Sequence, residues 1–269
     1  MNFSWFPGHM KRTIDELSIV VKKTDLILHV VDARCINLCS NNWILKFNKP
    51  ILKICNKADL CDKKTVKLKE NEFFFSCKNK SAKKKLIDII DKFLKKRKNS
   101  LIRQGLKNPF FYLVVVGLPN VGKSSLINLL KGTKTTIVKN QPATTQTKNI
   151  IKINNSLFLL DTPGILFNEI KDRKTLYKLA LANVIRHDLL PLDEVTEFAY
   201  NFYVENYHNQ LKTFYHFIEW LSFVDFIIFL AKKRKYYLPN NKIDRNRAIK
   251  AFYHDLISGK ICLVNYEKK

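Results

Sequence analysis

The residues best placed to do chemistry form a phosphate-binding loop at positions 117–124, with the sequence GLPNVGKS. Its two glycines are separated by four residues and are followed by lysine and serine, as the phosphate-loop pattern requires. Glycines let backbone N–H groups turn toward phosphate oxygens, and the following helix adds the positive end of its dipole. We therefore expect Lys123 to neutralise the β and γ phosphates of a nucleotide and Ser124 to bind Mg²⁺.

The segments on either side of this loop support a nucleotide site. Residues 111–116, FYLVVV, form a continuous apolar run that is typical of a buried parallel strand. Residues 125–130 have the spacing of a helix, which Gly132 would end. A strand, a glycine turn and a helix in this order make an accidental turn the weaker alternative.

A second motif, NKAD at residues 56–59, is of the type that reads guanine, and it follows an apolar strand at residues 50–55. Guanine presents an N1–H and an exocyclic amine side by side, and the carboxylate of Asp59 can accept from both. Asn56 would hold the loop and meet the O6/N7 edge, while the stem of Lys57 packs over the base. Adenine lacks these two donors and would leave a buried carboxylate without a partner, at a cost of several kcal/mol.

Three further stretches would complete the site. Ser76 and Cys77 follow a predicted strand, and their backbone N–H groups could meet the guanine carbonyl. Thr145 lies in a stretch without periodicity and is the candidate switch residue that reaches Mg²⁺ and the γ phosphate. In the DTPG motif, Asp161 would hold the Mg²⁺ shell and the Gly164 N–H would touch the γ phosphate.

The charge of the chain favours a polyanionic partner. It has 269 residues, with 48 Lys and Arg against 23 Asp and Glu, a formal charge of +25 and a pI near 9.8. Because Lys, Asn, Ile and Phe are all abundant, we assign about half of the excess to the codon bias of an AT-rich genome. Residues 232–237, KKRKYY, interleave cations with aromatics as RNA-contacting surfaces do; a solvated helix face is the alternative.

The remaining composition indicates a protein of a reducing compartment. The six cysteines include no Cys-x-x-Cys pair, so we expect free thiols and no zinc site. Residues 1–6 have neither a signal core nor a transit segment. The longest apolar run, near residues 217–231, contains Glu219 and Asp225 and is too short to span a bilayer. We expect a cytoplasmic monomer without a membrane partner, and favour a bacterial host over an organelle.

The spacing of apolar residues predicts two domains. An α/β domain with a mostly parallel sheet would cover residues 1–170, and a small all-helical domain residues 171–269. In the first domain we expect helices at 10–23 and 86–94, with a basic linker at 95–108. Helices of the second domain are predicted at 176–185, 193–203, 211–221 and 245–257.

The order of the motifs is unusual, because the base-recognition motif precedes the phosphate loop. A circular permutation would keep every strand contact if the original termini lay close together. The chain then resembles the circularly permuted GTPases of the YlqF/RbgA type, which act in assembly of the large ribosomal subunit. The resemblance rests on WFPGHM at 5–10, VDAR at 31–34, NKADL at 56–60, GLPNVGKSS at 117–125, DTPGI at 161–165 and SGK at 258–260.

This resemblance implies a permuted P-loop GTPase domain and a helical C-terminal domain on rRNA. It also implies GTP hydrolysis that the precursor of the large subunit stimulates, with release of the protein afterwards. Ile165 stands where many switches place a water-orienting Gln, and the family assigns that task to a histidine that matches His9. Asn120 matches the asparagine that helps to hold a K⁺ ion beside the phosphates. Ala143 and Cys77 depart from the family pattern, but both are small.

Together these expectations define a site for GTP or GDP, Mg²⁺ and K⁺. Catalysis would involve His9, Lys123, Thr145 and Gly164, and the metals would be held by Ser124, Thr145 and Asp161 for Mg²⁺ and by Asn120 for K⁺. The nucleotide would contact Asn56, Lys57, Asp59, Ser76, Cys77, Asn120, Val121, Gly122, Lys123, Ser124, Ser125 and Gly164.

Three other functions remain open from the sequence. The chain could be an RNA-binding protein whose nucleotide only modulates affinity, which turnover with and without large-subunit particles would reveal. It could be a permuted GTPase that acts on the small ribosomal subunit, which co-sedimentation of the GTP-locked protein with small-subunit particles would reveal. An ATP-using phosphotransferase would require a preference for adenine despite Asp59.

Overall fold

The computed structural model describes residues 7–79, 81–131, 137–138, 150–160, 170, 172–217, 219 and 221–268, with the backbone alone at 7–14, 137–138 and 187. The chain forms two compact units. The first comprises Met1–Asp59 and Lys67–Glu169, and the second Leu60–Val66 and Ile170–Lys269.

The first unit is built on a seven-stranded sheet of order β3-β2-β1-β4-β7-β6-β5. The five strands from β3 to β7 along this order are parallel, whereas β6 pairs antiparallel with both β7 and β5. The strands are β1 Leu26–Asp32, β2 Ile51–Asn56, β3 Glu72–Phe74, β4 Phe111–Val116, β5 Ile137–Val138, β6 Ile150–Lys152 and β7 Leu157–Leu160. This confirms the predicted mostly parallel sheet.

The centre of the sheet positions the site. Strand β1 is fully buried and lies between β2 and β4. The chain runs from β1 to β2 and β3 on one side, and from β4 to β5, β6 and β7 on the other, so the strand order reverses between β1 and β4. In such doubly wound sheets, ligands bind at the carboxyl ends of the strands where the order reverses. The register pairs Asp32 with Asn56, which places the end of β1 beside the predicted guanine motif.

Helices flank this sheet, and two of them differ from the prediction. They are α1 Pro7–Lys22, α2 Ile36–Cys39, α3 Ala82–Arg103 and α4 Lys123–Lys131. Helix α1 starts earlier than expected because proline is tolerated in a first helical turn, where its missing N–H is not needed. The predicted linker at 95–108 is wrong for most of its length, since α3 continues without interruption to Arg103. Lysine and arginine are good helix formers, so a basic run alone does not end a helix.

The second unit is helical, as predicted. Its helices are α5 Arg173–Leu181, α6 Leu192–Asn206, α7 His208–Tyr215, α8 Phe223–Lys233 and α9 Arg245–Ile257. The predicted helix at 211–221 is confirmed only as far as Tyr215, because His216 adopts a left-handed conformation and Ser222 then caps α8 through the Asp225 N–H. Aromatic rings fill the core, with Phe226 5.1 Å from Tyr215 and 5.0 Å from Phe252.

A short segment from the first half of the chain, Leu60–Val66, belongs to this helical unit. The Asp62 N–H donates to Val264 O at 3.2 Å, and the Val264 N–H donates to Leu60 O at 3.1 Å. The side chain of Asn265 donates to the Thr65 hydroxyl at 3.1 Å. The guanine motif therefore runs directly into a segment that is held by the C-terminal unit.

None of the helices in the described part of the chain has the length and apolar character to cross a membrane.

Candidate nucleotide-binding site

The phosphate loop is shaped by close backbone contacts that only glycine permits. Gly122 has a φ of +98°, and a Cβ there would lie 2.2 Å from Asn56 Nδ2. A Cβ on Gly117 would lie 2.2 Å from Val30 O. Between them, Asn120 adopts a left-handed φ of +53°, which asparagine tolerates better than most residues. The loop therefore packs directly against β1 and the guanine motif.

The cation of the loop is held close to the backbone. Lys123 Nζ donates to Leu118 O at 2.6 Å, and burial lowers the pKa of this lysine to about 8. Phosphate oxygens presented here would restore the charged form, since a nearby opposite charge favours it. Ser124 and Ser125 lie exposed in the first turn of α4, where the N–H groups of a helix have no partners within it.

One hydrogen bond joins the two motifs that the sequence separates. The side chain of Asn56, at the end of β2, donates through Nδ2 to the backbone oxygen of Val121 at 2.9 Å. Both residues are buried, so this bond forms away from water. The loop that carries the NKAD motif at residues 56–59, which we call the base loop, thus lies beside the phosphate loop despite their reversed order in the chain.

The predicted guanine acceptor is oriented by two neighbours. Ser76 Oγ donates to Asp59 Oδ1 at 2.7 Å, and Lys78 Nζ lies 2.8 Å from Asp59 Oδ2. Burial acts to raise the pKa of Asp59, but the hydrogen bonds from Lys78 and Ser76 outweigh it and hold the pKa below its usual range. Asp59 is therefore a carboxylate at neutral pH, the form that accepts two guanine donors.

The sequence reasoning missed the residues that hold Lys57. Lys57 has a left-handed φ of +57°, and its Nζ lies 3.0 Å from Asp32 Oδ2 at the end of β1. Asp32 is fully buried, and Arg34 donates to both of its carboxylate oxygens at 2.9 Å. Burial alone would raise the pKa of Asp32, but Arg34 and Lys57 keep it below the ordinary value. The available signal was the acid at a strand end, two residues before an arginine.

The side chains that follow β3 brace the base loop. The Cys77 thiol donates to Asn56 Oδ1 at 3.5 Å, so both ends of the Asn56 amide are held. Ser76 orients Asp59 from the same turn. The structure therefore brings Asn56, Asp59, Ser76 and Cys77 together with the phosphate loop.

Four of the predicted site residues cannot be placed in this cluster. Thr145, Asp161 and Gly164 lie outside the described residues. The backbone of His9 lies in α1, but its side chain is outside the described part of the chain. Their predicted roles stay predictions.

The fold and the joined loops define a class of protein, a circularly permuted P-loop GTPase. The family model described as 50S ribosome-binding GTPase matches residues 112–233. The chain is 37% identical over 98% of its length to the probable ribosome biogenesis GTPase A of Mycoplasma genitalium, of which 96% is covered. It is 33% identical over 81% of its length to ribosome biogenesis GTPase A of Priestia megaterium, of which 80% is covered.

Solved structures agree on the fold. The structure of GNP-bound YlqF from T. maritima superposes with a TM-score of 0.68 at 22% identity and covers 96% of this chain and 98% of that chain. The chain belongs to the ribosome biogenesis GTPase A family and is a GTP hydrolase.

Proposed function

We propose that this GTPase is an assembly factor of the large ribosomal subunit that acts in the cytoplasm. It binds the precursor particle and its rRNA in the GTP state and leaves after hydrolysis. The observation that carries the nucleotide-dependent part of the proposal is the Asn56–Val121 hydrogen bond, which holds a guanine-reading loop against a phosphate loop. The family description as 50S ribosome-binding and the formal charge of +25 support a ribosomal RNA partner.

At the base end, Asp59 accepts the guanine N1–H and exocyclic amine, and Asn56 meets the O6/N7 edge. The aliphatic part of the Lys57 side chain packs over the base, while the Lys57 ammonium group stays paired with the carboxylate of Asp32. Backbone N–H groups of Ser76 and Cys77 meet the guanine carbonyl. Discrimination against adenine follows because Asp59 is already charged and oriented before the base arrives.

At the phosphate end, Lys123 exchanges its bond to Leu118 O for the β and γ phosphates. Backbone N–H groups of Val121, Gly122 and Ser125 add to this cradle. The Ser124 hydroxyl suits Mg²⁺, because it is an exposed hard oxygen in the first turn of α4. Bound Mg²⁺ would neutralise charge between the phosphates, with Thr145 and Asp161 as its further partners and Gly164 on the γ phosphate.

Hydrolysis in this proposal uses a histidine and a monovalent cation. His9 orients or deprotonates the attacking water, since Ile165 cannot. Asn120 is exposed at the tip of the phosphate loop, where its side-chain oxygen would help to hold K⁺. That ion would offset the negative charge that develops as the phosphoryl group is transferred.

GTP turnover with ribosomal particles tests the proposal. We expect large-subunit precursors to raise the rate by about tenfold or more, while small-subunit particles at the same RNA concentration leave it unchanged. Replacing K⁺ by Na⁺ at equal ionic strength should lower it. Equal stimulation by both particles would contradict large-subunit specificity, and an unstimulated rate would favour an RNA-binding protein whose nucleotide only sets affinity.

Replacing the histidine tests the chemical step. His9→Ala should leave GTP affinity unchanged and reduce single-turnover hydrolysis by about a hundredfold. An unchanged rate would remove His9 from the mechanism.

A further inference from the structure

Helix α3 carries an unusual concentration of positive charge. Its 22 residues, Ala82–Arg103, include nine lysines and arginines and only two acids, Asp88 and Asp91. Ala82, Leu86, Ile90 and Leu94 are buried and fix which side faces the sheet. Because the helix continues through the basic run, its cations occupy defined positions around the helix, and most of them lie outside the buried sector.

Four of these cations form one line, which we name the α3 stripe: Lys85, Lys92, Lys96 and Arg103. At about 100° per residue they fall within a sector of about 40°, and at about 1.5 Å per residue they span about 27 Å. All four side chains are exposed. None forms an ion pair with another residue in the part of the chain that the structure describes.

The other exposed side of the same helix provides an internal comparison. There Lys84 and Asp88 are four positions apart, as are Asp91 and Lys95, so both signs alternate. That side has the mixed charge of an ordinary solvated surface. The sector of about 40° that the α3 stripe occupies contains no acid, although both sides belong to one helix and share one codon bias. Asp88 lies at the border of this sector, three positions from the first lysine of the stripe and four from the second.

We propose that the α3 stripe binds the phosphate backbone of double-helical RNA. A straight row of lysines and arginine suits a line of phosphates, which such side chains contact without reading sequence. Phe93, the aromatic residue of α3, lies about 80° around the helix from the centre of the stripe, so unpaired bases have no ring to stack on there and single-stranded RNA is the poorer fit. The inference rests on the proposed function only in identifying the RNA as ribosomal. It gives the GTPase unit its own RNA contact, separate from the helical unit where the sequence predicted one.

Two matched double variants of the full chain test this surface. Lys92→Gln with Lys96→Gln removes two charges from the stripe, whereas Lys84→Gln with Lys95→Gln removes two exposed charges from the side of the helix that carries its two acids. Affinity for a short RNA duplex is measured by fluorescence anisotropy over a series of KCl concentrations. Log K falls as log salt rises, and the magnitude of this negative slope should become smaller by about 1.4 to 1.8 for the stripe variant and hardly change for the control. GDP affinity should be unchanged in both.

Several outcomes would overturn the proposal. Equal losses of duplex affinity in the two variants would indicate that binding depends on the overall positive charge of the protein. No loss in either variant would indicate that the stripe is a solvated helix face. An equal loss of affinity for single-stranded RNA would remove the assignment to a duplex, and equal competition by polyglutamate would indicate an acidic protein partner. Because the duplex need not be ribosomal, this result is independent of whether large-subunit particles stimulate turnover.

Discussion

The two ends of the nucleotide site are built in different ways. At the base end, buried or half-buried side chains hold one another: Asp32 holds Lys57, and Ser76 holds Asp59. At the phosphate end, the shape comes from the backbone, with Gly122 at φ +98° and Lys123 bonded to a loop carbonyl. Side-chain pairs allow selectivity for one base, whereas backbone N–H groups recognise phosphate in any nucleotide.

This difference predicts that the two ends respond differently to substitution. Changes at the base end should alter selectivity and stability through charge. Changes at the phosphate end should alter affinity for all nucleotides through shape and through the protonation of one lysine. Each of the following experiments addresses one of the two ends.

The largest effect is expected for Asp32→Asn. This change removes the negative partner of a buried arginine and of Lys57, so the free energy of unfolding should decrease by about 3 to 5 kcal/mol. Urea denaturation measures it. Arg97→Gln breaks the more exposed pair with Asp25 and should cost at most about 1 kcal/mol. Similar losses of unfolding free energy in both variants would mean that the buried charges around Asp32 contribute no more to stability than the exposed Arg97–Asp25 pair.

The next effect concerns the shape of the phosphate loop. Gly122→Ala would place a methyl group 2.2 Å from Asn56 Nδ2, so affinity for GDP and ADP alike should decrease by about a hundredfold or more. Gly105→Ala is the matched control, because its φ is +94° but nothing lies within 4 Å of the added Cβ. Isothermal titration calorimetry compares them. Equal nucleotide affinity in the two variants would contradict the close approach of the loops.

A smaller effect should follow pH. The pKa of Lys123 is about 8 in the free protein, and bound phosphates favour the charged form. Nucleotide affinity should be constant between about pH 7 and 8, where the terminal phosphate is fully ionised, and decrease by up to about tenfold per unit as pH rises above 8, because binding then requires proton uptake. Lys123→Arg, whose guanidinium stays charged, should remove this slope even if its affinity is lower. A slope retained by the arginine variant would assign the titration to another group.

Much of this site was predictable because its parts are local. The apolar runs of β2 and β4, the glycine turn and the NKAD motif each lie within a few residues, and their pattern determines where they stand in a parallel sheet. The structure then adds the Asn56–Val121 bond that joins them. The order of the motifs suggested a permutation, and the sheet order is consistent with it.

Features that depend on tertiary packing were not predictable. Asp32 meets Lys57 only because the parallel register aligns the ends of β1 and β2. The continuation of α3 to Arg103 was missed because periodicity fades there, while Arg97 still reaches Asp25 at 2.8 Å. The segment Leu60–Val66 belongs to the helical unit through contacts with residues near Val264, which no local pattern reveals.

The central claim is that two loops in reversed order hold a single guanine nucleotide. Calorimetry with GDP, ADP and xanthosine diphosphate, on the wild-type chain and on Asp59→Asn, tests it most directly. The wild type should prefer GDP over ADP by about a hundredfold or more, and Asp59→Asn should prefer xanthosine diphosphate, whose oxygen replaces the amine and accepts from the new amide. Equal affinity of the wild type for GDP and ADP, or an unchanged preference in the variant, would contradict the account.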